Sequence, residues 1–311
     1  MKTAFLFPGQ GAQYVGMGLD VYQAFPAARD IFDRSEAASN LPLKKLCFEG
    51  PQEDLARTDV CQPAIFAVSA AILAAMKDVV GPARPQPAFM AGLSLGEYTA
   101  LYAAGAMDLE TAVRLVTQRG RAMQAAAKAV ASGMVCVLGL DEAAAERLCQ
   151  AAAQGQVLVC ANFNCPGQVV LSGEAEACQR VQARAEEFGA SGTVPLEVAG
   201  AFHSKIMQPA ADELQAALGK ARLAEPKVAV VSNVDAEPYD GSGQISGKLV
   251  AQLTSPVRWQ RSMEYLLRQE VETFYEIGPG RVLAGLMRRI DRKARVTCLN
   301  SREAIEKLLE T

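Results

Sequence analysis

Along most of this chain, short apolar runs alternate with longer segments of helical spacing, and that alternation is interrupted once. Strands are predicted up to residue 7 and at 88–92, 228–232 and 273–277. Helices are predicted at 20–35, 63–77, 95–104, 108–127, 205–218, 247–252, 262–269 and 283–290. Strands that alternate with helices imply a parallel sheet covered on both faces, so the core is α/β. Between about 132 and 198 the order changes to βαββαβ, with strands at 134–138, 156–161, 168–171 and 193–198 and helices at 141–152 and 174–188. That order is the one of a ferredoxin-like unit. We therefore expect a core built from 1–130 and 199–311, with a small subdomain, 131–198, inserted in it. Two such units leave a cleft between them, and ligand pockets favour such interfaces.

Composition removes several classes of function. The chain carries 31 basic and 34 acidic residues, so no global positive field exists to hold nucleic acid or an anionic membrane. The apolar run at the N-terminus meets Pro8 and Gly9 too soon to form a signal-peptide core. The longest apolar stretch, 64–76, falls short of the ~20 residues of a membrane span and is expected to be a buried helix. The eight cysteines contain no CxxC pair and sit mostly in apolar segments, as reduced thiols of a cytoplasmic protein do. With one histidine in the chain, no zinc site is expected, and an imidazole base can only be His203.

Gly92-Leu93-Ser94-Leu95-Gly96 fits G-x-S-x-G between a predicted strand and a predicted helix, the context of a nucleophile elbow. Glycines are needed there because strand and helix pack closely around a strained serine. Ser94 then heads a helix, where the amide of Leu95 and the helix dipole can stabilise an oxyanion. A serine nucleophile needs a base, and no residue other than His203 has a suitable ordinary pKa. Glu197 is the one acid left open as a third member; otherwise a carbonyl orients the imidazole and the pair is a dyad. Spacing alone does not distinguish Arg119 from Arg114 and Arg121. The glycine-rich loop 7–13 lacks both G-x-G-x-x-G and the Lys-Ser/Thr of a P-loop, which argues against nucleotide binding.

Taken together, FPGQGAQ at 7–13, GLSLGEYTAL at 92–101, LVTQRGRAMQ at 115–124, NFNCPGQVVLSG at 162–173, GAFHSKIM at 200–207, SNVDAEP at 232–238, LVAQLTSPVRW at 249–259 and EIGPGRVLAGLMRRI at 276–290 resemble the malonyl-CoA:acyl-carrier-protein transacylases and the acyltransferase domains of polyketide synthases. The matches are collinear along nearly the whole chain. The resemblance implies a hydrolase-like core with a ferredoxin-like insert, agreeing with the layout above. It also implies that Ser94 is acylated, that His203 is its base, and that the amides of Gln10 and Leu95 form the oxyanion hole. Arg119 would grip the malonyl carboxylate. Gln252, grouped with the substrate-binding residues, would help hold His203 through a hydrogen bond, and Phe202 would crowd an α-methyl branch. Leu93 stands where the common pattern has histidine, as in some family members.

The implied reaction moves malonyl from malonyl-CoA to the phosphopantetheine thiol of acyl carrier protein, in fatty acid or polyketide biosynthesis, with no cofactor beyond these substrates. Nothing in the sequence requires more than a monomer. The carrier proteins of this family are acidic, and Arg288, Arg289, Arg292, Lys293 and Arg295 form a candidate patch for one. An esterase or thioesterase using the same elbow, and a silent carrier-protein-binding module, are the rival readings.

Overall fold

Lys-Thr-Ala-Phe-Leu-Phe, at residues 2–7, buries its last four side chains irrespective of face, as a strand covered by helices on both sides does. The computed structural model describes residues 2–81 and 85–310. Its strands among these residues are β1 (Lys2–Phe7), β2 (Phe89–Gly92), β3 (Ser132–Leu138), β4 (Leu158–Cys165), β5 (Gln168–Glu174), β6 (Gly192–Pro195), β7 (Ala229–Val231), β8 (Val271–Ile277) and β9 (Arg295–Leu299). One sheet runs β7-β2-β1-β8-β9, with all pairs parallel. Phe7 is in register with Gly92, so the loops leaving β1 and β2 emerge side by side at the carboxyl edge, where open α/β sheets place their ligands.

The second sheet runs β4-β5-β3-β6 and is antiparallel throughout. With helices Glu142–Ala153 and Ala175–Arg184 it has the ferredoxin-like order, and it falls within the span expected for the insert. Strand alternation gives this sheet two different faces. Val135, Val137, Val169 and Leu171 pack with the helices of their own unit. Met134, Cys136 and Val170 point the other way, into the main core. A backbone stitch joins the units: Val257 N–H donates to Ala161 O at 2.8 Å, and Phe163 N–H donates to Val257 O at 3.0 Å.

Three expectations need correction. The helix drawn at 20–35 is two, Leu19–Ala24 and Pro26–Ser39, because Pro26 lacks an amide hydrogen and drives Phe25 to an extended φ of −118°. The stretch judged too short for a membrane span belongs to a 23-residue helix, Thr58–Val80, which is long and apolar enough to cross a bilayer. It is nevertheless the buried helix expected, packed between helices Pro26–Ser39 and Leu109–Ala129; only its length was underestimated. Strand β9 was not foreseen. It is a five-residue edge strand with only Leu299 fully buried, so its apolar alternation is weak, and pairing with β8 satisfies its backbone.

Phe274, on β8, has no exposed surface and packs beside Trp259 and Met263. Phe274→Ala is expected to lower the unfolding free energy by about 3–5 kcal/mol. Urea denaturation followed by far-UV circular dichroism checks this, and a loss under about 1 kcal/mol would contradict the placement of this side chain in the core.

Candidate active site

At the carboxyl edge of the parallel sheet the chain turns from β2 into helix Leu95–Ala103 through Leu93 and Ser94. The turn is possible only with glycine on each side. A Cβ on Gly92 would overlap the Gly96 carbonyl, and one on Gly96 would overlap the Phe7 carbonyl. Gly9 meets the Leu93 carbonyl in the same way, which locks the loop after β1 against the turn. Ser94 is forced to φ 51° and ψ −100°, a conformation costing on the order of 1–3 kcal/mol for a residue with a side chain. Asn233 holds it there, accepting the Ser94 amide on Oδ1 at 2.6 Å and donating from Nδ2 to Gly92 O at 2.8 Å.

Two side chains meet the Ser94 hydroxyl. His203 Nε2 is 2.9 Å from Oγ, and Arg119 Nη2 donates to Oγ at 2.9 Å. His203 Nδ1 lies 2.7 Å from Gln252 O. A carbonyl can only accept, so Nδ1 carries the ring hydrogen and Nε2 presents its lone pair to the serine O–H. Arg119 is 1% exposed and donates to Gln62 Oε1 at 2.7 Å and Gln252 Oε1 at 2.8 Å, with its guanidinium 5.4 Å from the centre of the Tyr98 ring. Burial lowers its pKa. Burial first and the Arg119 charge second push His203 down to about 4, so the imidazole is neutral and free to act as a base.

A cleft of about 260 Å³ opens onto this group. Gln10 and Leu95 line it, and among the described residues neither amide donates to a backbone carbonyl, so both could receive an oxyanion. Met134, Cys136 and Val170 of the second sheet also line it, as does Phe202.

Residues 4–298 match the model of the acyl transferase domain family. This chain belongs to that family. Among its relatives is the malonyl CoA-acyl carrier protein transacylase of Bacillus subtilis, 40% identical over 311 residues, covering 100% of this chain and 97% of the relative. The solved malonyl CoA-acyl carrier protein transacylase of Coxiella burnetii superposes with a TM-score of 0.95 at 39% identity, covering 100% of this chain and 97% of that one. A malonyl-transacylase solved in complex with its type II polyketide synthase acyl-carrier protein gives 0.95 at 39% identity, over 100% of this chain and 99% of that one.

In this acyl transferase, Ser94, His203 and Arg119 converge although they are separated by up to 109 positions. Gln252 holds His203 through a hydrogen bond as expected, but it does not line the cleft as a substrate-binding residue would. It is fully buried and absent from the cleft wall, because its amide is engaged behind Ser94 by Arg119, Glu97 and the Ser94 carbonyl. Its backbone carbonyl, not its side chain, holds His203. Glu197 is exposed, and the carbonyl takes the place open to it, leaving a Ser-His dyad. Three residues of the site were missed: Gln62, Glu97 and Asn233. Each is a polar residue inside an apolar or tightly turned segment, which was the available signal; Glu97 lies three residues after the nucleophile, on a helix with no exposed face at that point.

The unfolded state protonates an imidazole near pH 6.5, whereas native His203 resists protonation until about 4. Between these values the unfolded chain binds the extra proton, so His203 makes stability fall as pH drops from about 6.5 to about 4, by roughly 3 kcal/mol. Glu97, raised to about 7, acts in the opposite sense between about 4.5 and 7. The measurement is therefore the difference between wild type and His203→Gln in chemical denaturation across this range. A difference that does not change with pH would show that the imidazole is not held neutral.

Proposed function

We propose that this chain is an [acyl-carrier-protein] S-malonyltransferase that carries malonyl from malonyl-CoA to the phosphopantetheine thiol of an acyl carrier protein through an ester on Ser94. The observation that carries this reading is one hydroxyl held at 2.9 Å by both a neutral imidazole and a buried guanidinium. The names of the relatives point to the same reaction, and the complex of a similar enzyme with its carrier protein supports the partner.

In the first half-reaction His203 Nε2 takes the proton of Ser94 as Oγ bonds to the thioester carbonyl carbon. The amides of Gln10 and Leu95 receive the oxyanion, the C–S bond breaks, and the CoA sulfur leaves with the proton from Nε2. In the second, the phosphopantetheine thiol gives its proton to Nε2, its sulfur attacks the ester carbonyl, and Ser94 Oγ departs and is reprotonated. The Met134, Cys136, Val170 and Phe202 wall disfavours water as the competing nucleophile.

Arg119 suits malonyl through distance and charge. The malonyl carboxylate carbon lies two C–C bonds of about 1.5 Å from the reacting carbonyl, and Nη2 is already 2.9 Å from the attacking oxygen. Longer diacids would have to fold back to make the same pair. A bound carboxylate also cancels part of the charge that depresses His203, so loading strengthens the base. Phe202 is buried against the core with its carbonyl accepting from Ser172 Oγ at 2.6 Å, a rigid wall against an α-branch. Arg288, Arg289 and Arg292 line a surface depression beside the β4–β5 turn and suit an acidic carrier protein. Seven buried free thiols favour a reducing compartment, the cytoplasm, and the reading requires only a monomer.

Brief exposure to malonyl-CoA is expected to add one malonyl group to the intact mass, on Ser94, and holo carrier protein to discharge it. Free malonate appearing faster than malonyl-carrier protein would instead mark a thioesterase. Arg119→Ala is expected to reduce malonyl transfer by about 150- to 5000-fold, the effect of roughly 3–5 kcal/mol for a lost buried ionic partner, and acetyl transfer far less. Equal loss of both in parallel steady-state assays would remove Arg119 as the carboxylate clamp.

A further inference from the structure

Ser94, His203 and Arg119 all depend on Gln252. Its backbone carbonyl orients His203, its Oε1 accepts from Arg119 at 2.8 Å, and its Nε2 donates to Ser94 O at 3.0 Å. Gln252 has no exposed surface, and its amide could adopt either of two orientations that exchange oxygen and nitrogen. Glu97 makes the shortest of the contacts that select one of them, beside those of Arg119 and the Ser94 carbonyl. Its Oε2 accepts from Gln252 Nε2 at 2.5 Å and from the Asn233 amide at 3.3 Å, while Oε1 accepts from Tyr239 Oη.

We propose that Glu97 is a positioning residue for the transfer, selecting the single orientation of the Gln252 amide in which Arg119 and Ser94 are both held. The proposal rests on the transfer reading above. A carboxylate only accepts, so it must face the NH₂ end of Gln252, and Oε1 is then left to the guanidinium. The reverse orientation would set two acceptors against each other at Glu97 and two donors at Arg119. Asn233 carries the same constraint to the nucleophile: its amide N–H is fixed by Glu97, and its Oδ1 holds the Ser94 N–H.

The arrangement is unusual for an acid in the first turn of a helix. Such acids are favoured near helix N-termini and ordinarily face water, yet Glu97 is 0% exposed and makes no ion pair among the described residues. The groups facing it are Tyr239, the neighbouring Tyr98 and, across the Gln252 amide, Arg119 with His203 beyond. Lys248, over the Tyr239 ring at 5.1 Å, is paired with Asp235 at 2.9 Å. Burial pushes Glu97 up to about 7, against the hydrogen bonds of Tyr239, Gln252 and Asn233 and the Arg119 charge, which all pull it down. Once protonated, Glu97 both donates and accepts, so its share of the constraint on Gln252 is lost and only Arg119 and the Ser94 carbonyl still favour this orientation. Formation of the malonyl ester is then expected to decline as pH falls through about 7, while His203, titrating near 4, remains a base over the same range.

The test is the rate of malonyl-Ser94 formation from malonyl-CoA, read by quenched intact-mass analysis from about pH 5 to 9, in wild type, Glu97→Gln and Tyr239→Phe. Wild type should lose rate on the acid side with a midpoint near 7. Glu97→Gln should be slower by about 100-fold at the plateau and should lack that midpoint. Tyr239→Phe removes a donor that favours the ionised carboxylate, so its midpoint should move to higher pH; this holds even if Glu97→Gln does not fold. A purely structural role would lower rates without moving the midpoint. Wild-type behaviour of Glu97→Gln, or an unmoved midpoint in Tyr239→Phe, overturns the proposal, whereas absence of any malonyl ester in wild type overturns the transfer reading beneath it.

Discussion

A guanidinium with almost no access to water, hydrogen-bonded to the hydroxyl of a nucleophile, is the interaction around which this molecule is arranged. Among the described residues Arg119 pairs with no carboxylate; Nη1 and Nη2 donate to the neutral oxygens of Gln62, Gln252 and Ser94, buried Nε has no hydrogen-bond partner, and the guanidinium face lies against the Tyr98 ring. A buried cation satisfied only by dipoles is poorly compensated, and it attracts an anionic substrate group. Burial first, and the same charge second, keep His203 neutral. The proposed selection of substrate and part of the tuning of the base therefore trace to one residue, and a carboxylate arriving at Arg119 would alter both.

The neighbours follow from that charge. Gln252 stands between the guanidinium and the Glu97 carboxylate, joined to each by a hydrogen bond, so opposite charges are linked through an amide and not by direct contact. Direct pairing would neutralise Arg119 and occupy the donors that a substrate carboxylate needs. Separation by one amide leaves the cation available while keeping its environment ordered.

The second sheet contributes through the geometry of strands. Because successive side chains of β3 and β5 point to opposite faces, one set packs on the helices of its own unit and the other closes the cleft over Ser94. A slip of one residue in either strand would exchange the two sets. The backbone stitch between Val257 and β4 ties this unit to the loop that precedes helix Trp259–Arg268 of the main core.

Much of this was legible in the order of residues. Alternating apolar runs and helical segments defined a parallel sheet, the βαββαβ interval defined the second unit, and the glycines around Ser94 defined a sharp turn, because each depends on local sterics and periodicity. The single histidine left one candidate for an imidazole base. Neighbours in space were not legible. That Gln252 uses its carbonyl for His203 and its amide for Arg119, that Glu97 faces inward from a first helical turn, and that Asn233 grips the Ser94 amide from 139 positions away all depend on how distant elements pack. Local sequence determines which conformations a segment prefers and which groups can react; only the assembled structure decides which polar atoms lose water together and must therefore satisfy one another.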